Sequence, residues 1–168
     1  SDYLNEWLSF YISQGVDHFY LYDNNDQEEE QKKTQRILKK YKRNVTCIPW
    51  TSETVPKPVR TLQSEAYHHC VQTQGTNFQW ILLADIDEFA FATNSGETLQ
   101  SVLKKHASDT HTPFVNIPRY NFGSNGHKIK PSGTVVENYT TREASPSSMK
   151  TLSNIKFIVT GSSSVHHF

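Results

Sequence analysis

The sequence has little with which to staple a fold and nothing long enough to cross a membrane. Of its 168 residues only two are cysteines, Cys47 and Cys70, and one is methionine. Two cysteines in dissimilar contexts, without Cys-x-x-Cys spacing, allow one disulfide at most; buried free thiols are the expectation. No apolar run approaches the roughly 20 residues of a membrane-spanning helix. Net charge is also absent. Seventeen basic and seventeen acidic side chains cancel, which argues against nucleic-acid binding through a general positive field and leaves a local basic patch open. There is no initiator methionine at "SDYLNEW", so a processed or trimmed start is expected and no targeting segment is readable. Sequons at Asn44 and Asn138 matter only in a secretory compartment. A Golgi-lumenal domain and a cytosolic enzyme would look alike here.

What is present is a globular composition, with 12 % aromatic and 20 % charged residues, at a length suited to one domain. "YLNEWLSFYISQG" spaces its apolar residues as a helix and stops at Gly15. "VDHFYLYD" (16–23) reads as a strand closed by the turn cluster "DNND". "EEEQKKTQRILKKYKR" orders acids before bases along a helix, matching its dipole, and is expected to be a solvated face. "NVTCIPW" (44–50) is a second strand, residues 60–75 a helix, and "FQWILLAD" (78–85) a third strand. The third is apolar at consecutive positions, as in the centre of a parallel sheet. Residues 98–107 form another helix. Beyond it, "PFVNIPRYNFG", "TVVENYTTRE" and "NIKFIVTG" read as strands between turns. The alternation predicts a doubly wound α/β sheet, richer in β structure toward its C-terminal part.

The chemistry gathers at "ILLADIDEF" (81–89). In extended chain, Asp85 and Asp87 would share one side. Without a neighbouring base they would raise each other's pKa or take a cation. A hard ion such as Mg²⁺ or Mn²⁺ suits such oxygen donors and leaves positions open for phosphate. An exposed acidic turn is the plainer alternative. Asp23 ends the first strand as Asp85 ends the third, so two strands deliver carboxylates to one sheet edge, where α/β sheets bind ligands.

Several blocks together, "DYLNEWLSFYISQGVDHFYLYDNND", "QSEAYHHC", "WILLADIDEF", "FGSNGHKIKPSGTVVENYT", "NIKFIV" and "VHHF", resemble glycosyltransferase family 92 and its family 2-like relatives. The resemblance spans nearly the whole chain. It implies a single catalytic domain over 1–168 with the GT-A fold, a Rossmann-like α/β/α sandwich around a mostly parallel sheet. Similar proteins have a strand just before the residue matching Ser1, so the domain is expected to lack its first strand. The implied reaction moves a sugar from a nucleoside-diphosphate sugar to a hydroxyl of a glycan or glycoconjugate acceptor, with inversion and with Mn²⁺ or Mg²⁺ as cofactor.

The resemblance also assigns roles. Asp87 is expected to ligate the metal directly. Asp85 is expected to join it from the ribose or donor-sugar side. His166 is favoured over His167 to complete the metal shell. Glu6, Asp23, Arg60, Gln63 and Lys156 fall where the donor nucleotide and its phosphates are bound, although Asp23 could be only a turn former and Arg60 only a surface residue. His127, on the Gly-rich "FGSNGHK" loop, and Glu88 are the candidate general bases, with capping or an ion pair as the alternative for Glu88. Two other readings use the same acids differently: a metal-dependent nucleotidyl- or phosphotransferase, and a degenerate carbohydrate-binding relative without catalysis.

Overall fold

A computed structural model describes residues 3–51, 53–55, 61–106 and 111–158. Helix α1 (Leu4–Ser13) sets the core. Leu4, Trp7, Leu8 and Tyr11 recur at helical spacing, so they fall on one face, and that face is buried, Leu8 completely. Phe19, Leu38, Leu99 and Leu152 close over it from four other elements. The Trp7 ring meets Tyr11 edge-on at 4.9 Å and Phe19 at 5.4 Å. Gly15 ends the helix at φ +82°, and a Cβ there would lie 2.6 Å from Cβ of Gln100. Both the backbone sign and the space therefore demand glycine. The same junction holds the Gln100 amide to the Gln14 carbonyl at 3.1 Å.

Strands β1 (Phe19–Asp23) and β2 (Val45–Pro49) pair in parallel, from Phe19 opposite Val45 to Asp23 opposite Pro49. Helix α2 (Glu28–Leu38) connects them. Only Thr34 and Leu38 of α2 are buried, and Lys32 reaches Glu28 at 2.8 Å. Its charge run is thus the solvated face expected from the sign order. Such exposed pairs add a few tenths of a kcal/mol each. A 3₁₀ turn (Lys39–Tyr41) follows, placing the Tyr41 hydroxyl 3.1 Å from the Asn5 carbonyl of α1.

Helix α3 (Leu62–Gln74), capped by Thr61, precedes β3 (Trp80–Leu82). Helix α4 (Leu99–Lys105) begins on a capping box of Thr98 and Ser101. Strand β4 (Phe114–Arg119), the short helix α5 (Val135–Asn138) and β5 (Ser148–Asn154) complete the described elements. The second sheet has the order β3-β5-β4, and both of its pairings are antiparallel. Both cysteines are free thiols, Cys70 buried and Cys47 half-buried. Among the described residues no helix is long and apolar enough to cross a membrane.

The chain is therefore mixed α/β, with a parallel pair and a separate antiparallel sheet. Three expectations change, and a fourth feature has no sequence reading behind it. First, β3 is not central to a parallel sheet; it runs antiparallel to β5, with Leu82 opposite Leu152. An apolar run reports burial and carries no information on strand direction. Second, "TVVENYTTRE" is not a strand. Its Thr134 and Glu137 form a reciprocal capping box that starts α5, a local signal that outweighs two β-branched valines. Third, the described part of "NIKFIVTG", residues 154–158, does not continue as a strand: the Asn154 side chain accepts the Lys156 amide at 3.2 Å and turns the chain into a 3₁₀ helix, Ile155–Phe157, while the last three residues of the stretch lie outside the described residues. Fourth, the polar stretch Ser148–Asn154, without strand-like composition, is β5 because six residues of β4 pair with it. Partner geometry dominates strand formation.

Replacing Leu8 by alanine should cost about 2–5 kcal/mol. Ile12→Ala, at a position 37 % exposed, should cost about 1 kcal/mol or less. Urea denaturation of the two variants measures the difference.

Candidate functional site

The chain leaves β3 at Leu82 and makes a tight turn over Asp85–Glu88. The Glu88 amide donates to the Asp85 carbonyl at 3.1 Å, and the Asp85 amide donates to Oε2 of Glu88 at 3.1 Å. The extended geometry expected for Asp85 and Asp87 is not found. Both are exposed, while Ile86 packs against the core.

The turn is held from beneath by α1. The Glu88 carbonyl accepts from Trp7 Nε1 at 3.0 Å and from the Tyr11 hydroxyl at 3.1 Å. The same hydroxyl accepts the Ala90 amide at 3.0 Å. Burial, the main cause, raises the Tyr11 pKa to about 12, so this bridge keeps its proton throughout the physiological range.

The counter-charge comes from the second sheet. On β4 and β5, Val115, Ile117, Leu152 and Lys150 alternate onto one face, with Arg119 next in the same register. That face is apolar in the core and cationic where it passes the turn. Lys150 Nζ lies 2.9 Å from Glu88 Oε2 and 3.3 Å from the Leu83 carbonyl. Arg119 Nε stands 3.9 Å from Glu88 Oε1. Burial and the neighbouring Glu88 push the Asp85 pKa up, Lys150 opposes them, and Asp87 and Arg119 contribute less.

A relay of three hydrogen bonds joins the two acidic strand ends. The Trp50 amide donates to the Asp23 carbonyl at 2.8 Å. Trp50 Nε1 donates to the Leu62 carbonyl at 2.8 Å. Gln63 Nε2, on the first turn of α3, donates to Asp85 Oδ1 at 2.9 Å and to the Tyr67 hydroxyl at 2.9 Å. The relay links the Asp23 main chain and the Asp85 carboxylate through the start of α3, but β1 and β3 lie in different sheets, so the single sheet edge expected for the two acids is not found. Asp23 is also a turn former, its Oδ1 accepting the Asn25 amide at 3.1 Å.

The other candidate residues lie apart from the turn. Glu6 accepts the Val135 amide at 2.8 Å, docking α5 onto α1. His127 is exposed on its loop, its ring 5.8 Å from that of Tyr139. Lys156 follows the end of β5 that pairs with Trp80, so it sits at the opposite end of the β3–β5 pair from Asp85. Arg60, His166 and His167 lie outside the described residues. Glu88 has the capping and ion-pair contacts that were the alternative to a role as base.

Sequence reasoning missed Lys150, Arg119, Tyr11 and Tyr67 as neighbours of the turn. The alternation Val115-x-Ile117-x-Arg119 was available as a signal for Arg119. Nothing local marks Lys150, because its strand is specified by its partner.

As a metal site, Asp85 and Asp87 offer two exposed oxygen donors. Among the described residues no three His, Cys, Asp or Glu side chains assemble a cage. That donor set fits a hard cation that keeps water and phosphate oxygens as its other ligands.

Two outcomes follow from this geometry. Tyr11→Phe strands the Ala90 amide and should cost about 1–3 kcal/mol of unfolding free energy. Because folding raises the Asp85 pKa, ionising this group disfavours the fold as pH climbs through the carboxylate range. Asp85→Asn should therefore raise Tm at neutral pH, and the gain should vanish below the ordinary carboxylate value of 3.8.

The comparisons with known proteins agree with one another. Residues 1–167 match the profile of glycosyltransferase family 92. A family 92 protein from Oryza sativa subsp. japonica is 27 % identical over 150 residues, covering 89 % of this chain and 24 % of its own length. One from Arabidopsis thaliana is 25 % identical over 174 residues, covering 99 % of this chain and 29 % of its own. One from Ricinus communis is 27 % identical over 177 residues, covering 100 % and 29 %. The chain thus spans less than a third of the length of these relatives. No solved structure matches it. With its match running almost from end to end, the chain belongs to glycosyltransferase family 92.

Proposed function

We propose that this chain is the part of a family 92 glycosyltransferase that binds a nucleoside-diphosphate sugar and transfers its sugar to a hydroxyl of a glycan or glycoconjugate, with inversion. The observation that carries the reading is the Asp85–Glu88 turn. It holds two exposed carboxylates at the end of a core strand, within a family-wide match. The reading takes the parallel pair and the antiparallel sheet as parts of a single GT-A catalytic domain.

In this reading Asp85 and Asp87 hold Mn²⁺ or Mg²⁺, with His166 or His167 as a further ligand. When bound, the ion supplies Lewis acidity to the leaving diphosphate. Asp23 and Gln63 belong to the nucleoside side, since the hydrogen-bond relay brings both to the start of α3. Glu88 sets the turn and its charge. Accepting a proton would cost it the contacts to Lys150 and the Asp85 amide. His127 is accordingly the better candidate to take the acceptor proton. Glu6 supports that loop from α1 through its bond to α5.

Incubation with a panel of nucleoside-diphosphate sugars and Mn²⁺ should give transfer or donor hydrolysis. Asp87→Ala should abolish it with circular dichroism unchanged, and the product anomer, read by NMR, should be inverted. Binding of nucleoside triphosphates but of no nucleoside-diphosphate sugar would move the assignment to a phosphotransferase.

A further inference from the structure

Three carboxylates and two cations meet at the turn, and the two cations are not equally committed. Lys150 is engaged twice, by Glu88 Oε2 at 2.9 Å and by the Leu83 carbonyl at 3.3 Å, and its side chain is 28 % exposed. Arg119 is 47 % exposed and touches Glu88 Oε1 only at 3.9 Å. Its one side-chain hydrogen bond among the described residues runs from Nη2 to Asn121 Oδ1 at 3.3 Å. A guanidinium has five N–H donors in a planar fork that matches phosphate oxygens in pairs. At Arg119 that fork is half exposed and makes a single hydrogen bond among the described residues, next to Glu88 of the turn. A long contact of this kind gains little in water, so exchanging it for a phosphate forfeits little.

The charge count is compatible with this. Asp85, Asp87 and Glu88, with Glu143 also within reach of the Arg119 charge, against Lys150 and Arg119 leave two negative charges, which a divalent cation would cancel. An anion beside the cation would then meet no net repulsion, and Arg119 is the side chain with donors to offer it. Lys156, expected from the sequence to meet the phosphates, stands at the other end of the β3–β5 pair. It lies within the 3₁₀ helix Ile155–Phe157, with its ammonium 5.8 Å from the Phe157 ring centre.

We infer that Arg119 is the diphosphate-binding cation of this site, and that Lys150 is a positioning residue that holds Glu88 and leaves the guanidinium fork free for phosphate. The inference rests on the proposed donor class and assigns its phosphate contact. Lys150 does this by neutralising the Glu88 oxygen nearest the Asp85 amide. Without that ammonium, Glu88 would draw Arg119 into a close pair and away from the ligand.

Calorimetric titration with nucleoside diphosphates, inorganic pyrophosphate and the corresponding nucleosides, each with Mn²⁺, tests it on wild type, Arg119→Ala, Arg119→Lys and Lys156→Ala. Arg119→Ala should weaken nucleoside-diphosphate binding about 10- to 100-fold, the loss of charge-assisted hydrogen bonds. Arg119→Lys should recover part of it, because charge returns without the fork. Affinity for the nucleosides should not change, and Lys156→Ala should match wild type. If pyrophosphate alone binds the wild type in an Arg119-dependent way, the contact is to the diphosphate itself and the inference stands. If wild type binds nucleoside diphosphates and both Arg119 variants bind equally well, the assignment of Arg119 is overturned while the donor class survives. If wild type binds neither a nucleoside diphosphate nor pyrophosphate, both readings fall. Lys150→Met separates the positioning role: it should weaken the diphosphate and leave the nucleosides unaffected. Equal loss of both would show a merely structural lysine.

Discussion

One main-chain carbonyl carries an unusual share of this structure. The oxygen of Glu88 is held by two side chains of α1, the Trp7 indole and the Tyr11 hydroxyl. Both side chains are also central to the core. The acidic turn therefore cannot shift without disturbing the most buried helix face of the molecule. A site that must present several carboxylates together needs such support, because their repulsion favours spreading apart. Here the backbone is pinned from below, and Lys150 with Arg119 supplies countercharge from the side. Positional stiffness comes from helix α1, charge balance from the antiparallel sheet, and the two meet in a single residue.

That meeting explains which parts of the chain could be read in advance. Helix α1 was legible because its apolar spacing and the Gly15 stop are local. The same holds for α2, whose charge order is local, and for the free thiols. The acidic turn was legible as a place, and Asp23 and Gln63 as its neighbours. The relation between the acids and their cations was not. Lys150 is 62 residues from Glu88, in no pattern the chain displays; it is brought near by the pairing of β5 with β3 and β4. A polar strand such as Ser148–Asn154 has no signature of its own, since its pairing is specified by β4.

The differences between pattern and fold have a common physical root. A consecutive apolar run suggests a parallel central strand, and two adjacent valines suggest another strand. Burial is a property of surroundings, so the run at β3 fits an antiparallel partner equally well. At Thr134, a four-residue capping signal decided the local backbone although the β-branched residues favour extension. Asp85 and Asp87 show the converse. An extended chain is the expectation for them, and a turn that leaves both exposed is found instead.

The Tyr11 hydroxyl bridges the Glu88 carbonyl and the Ala90 amide much as the edge of a neighbouring strand would. A helix thus supplies with side chains what a sheet supplies with backbone. The two supports differ in what they tolerate. A strand ladder can slip by a residue pair and still bond, whereas a point contact has no alternative register. One residue inserted between Trp7 and Tyr11 would rotate them about 100° apart from their present alignment, and the turn would lose one of its two donors. Length variation in this fold is therefore easier to accommodate in the connections beyond the turn than within the first helix, although the helix touches none of the exposed carboxylates itself.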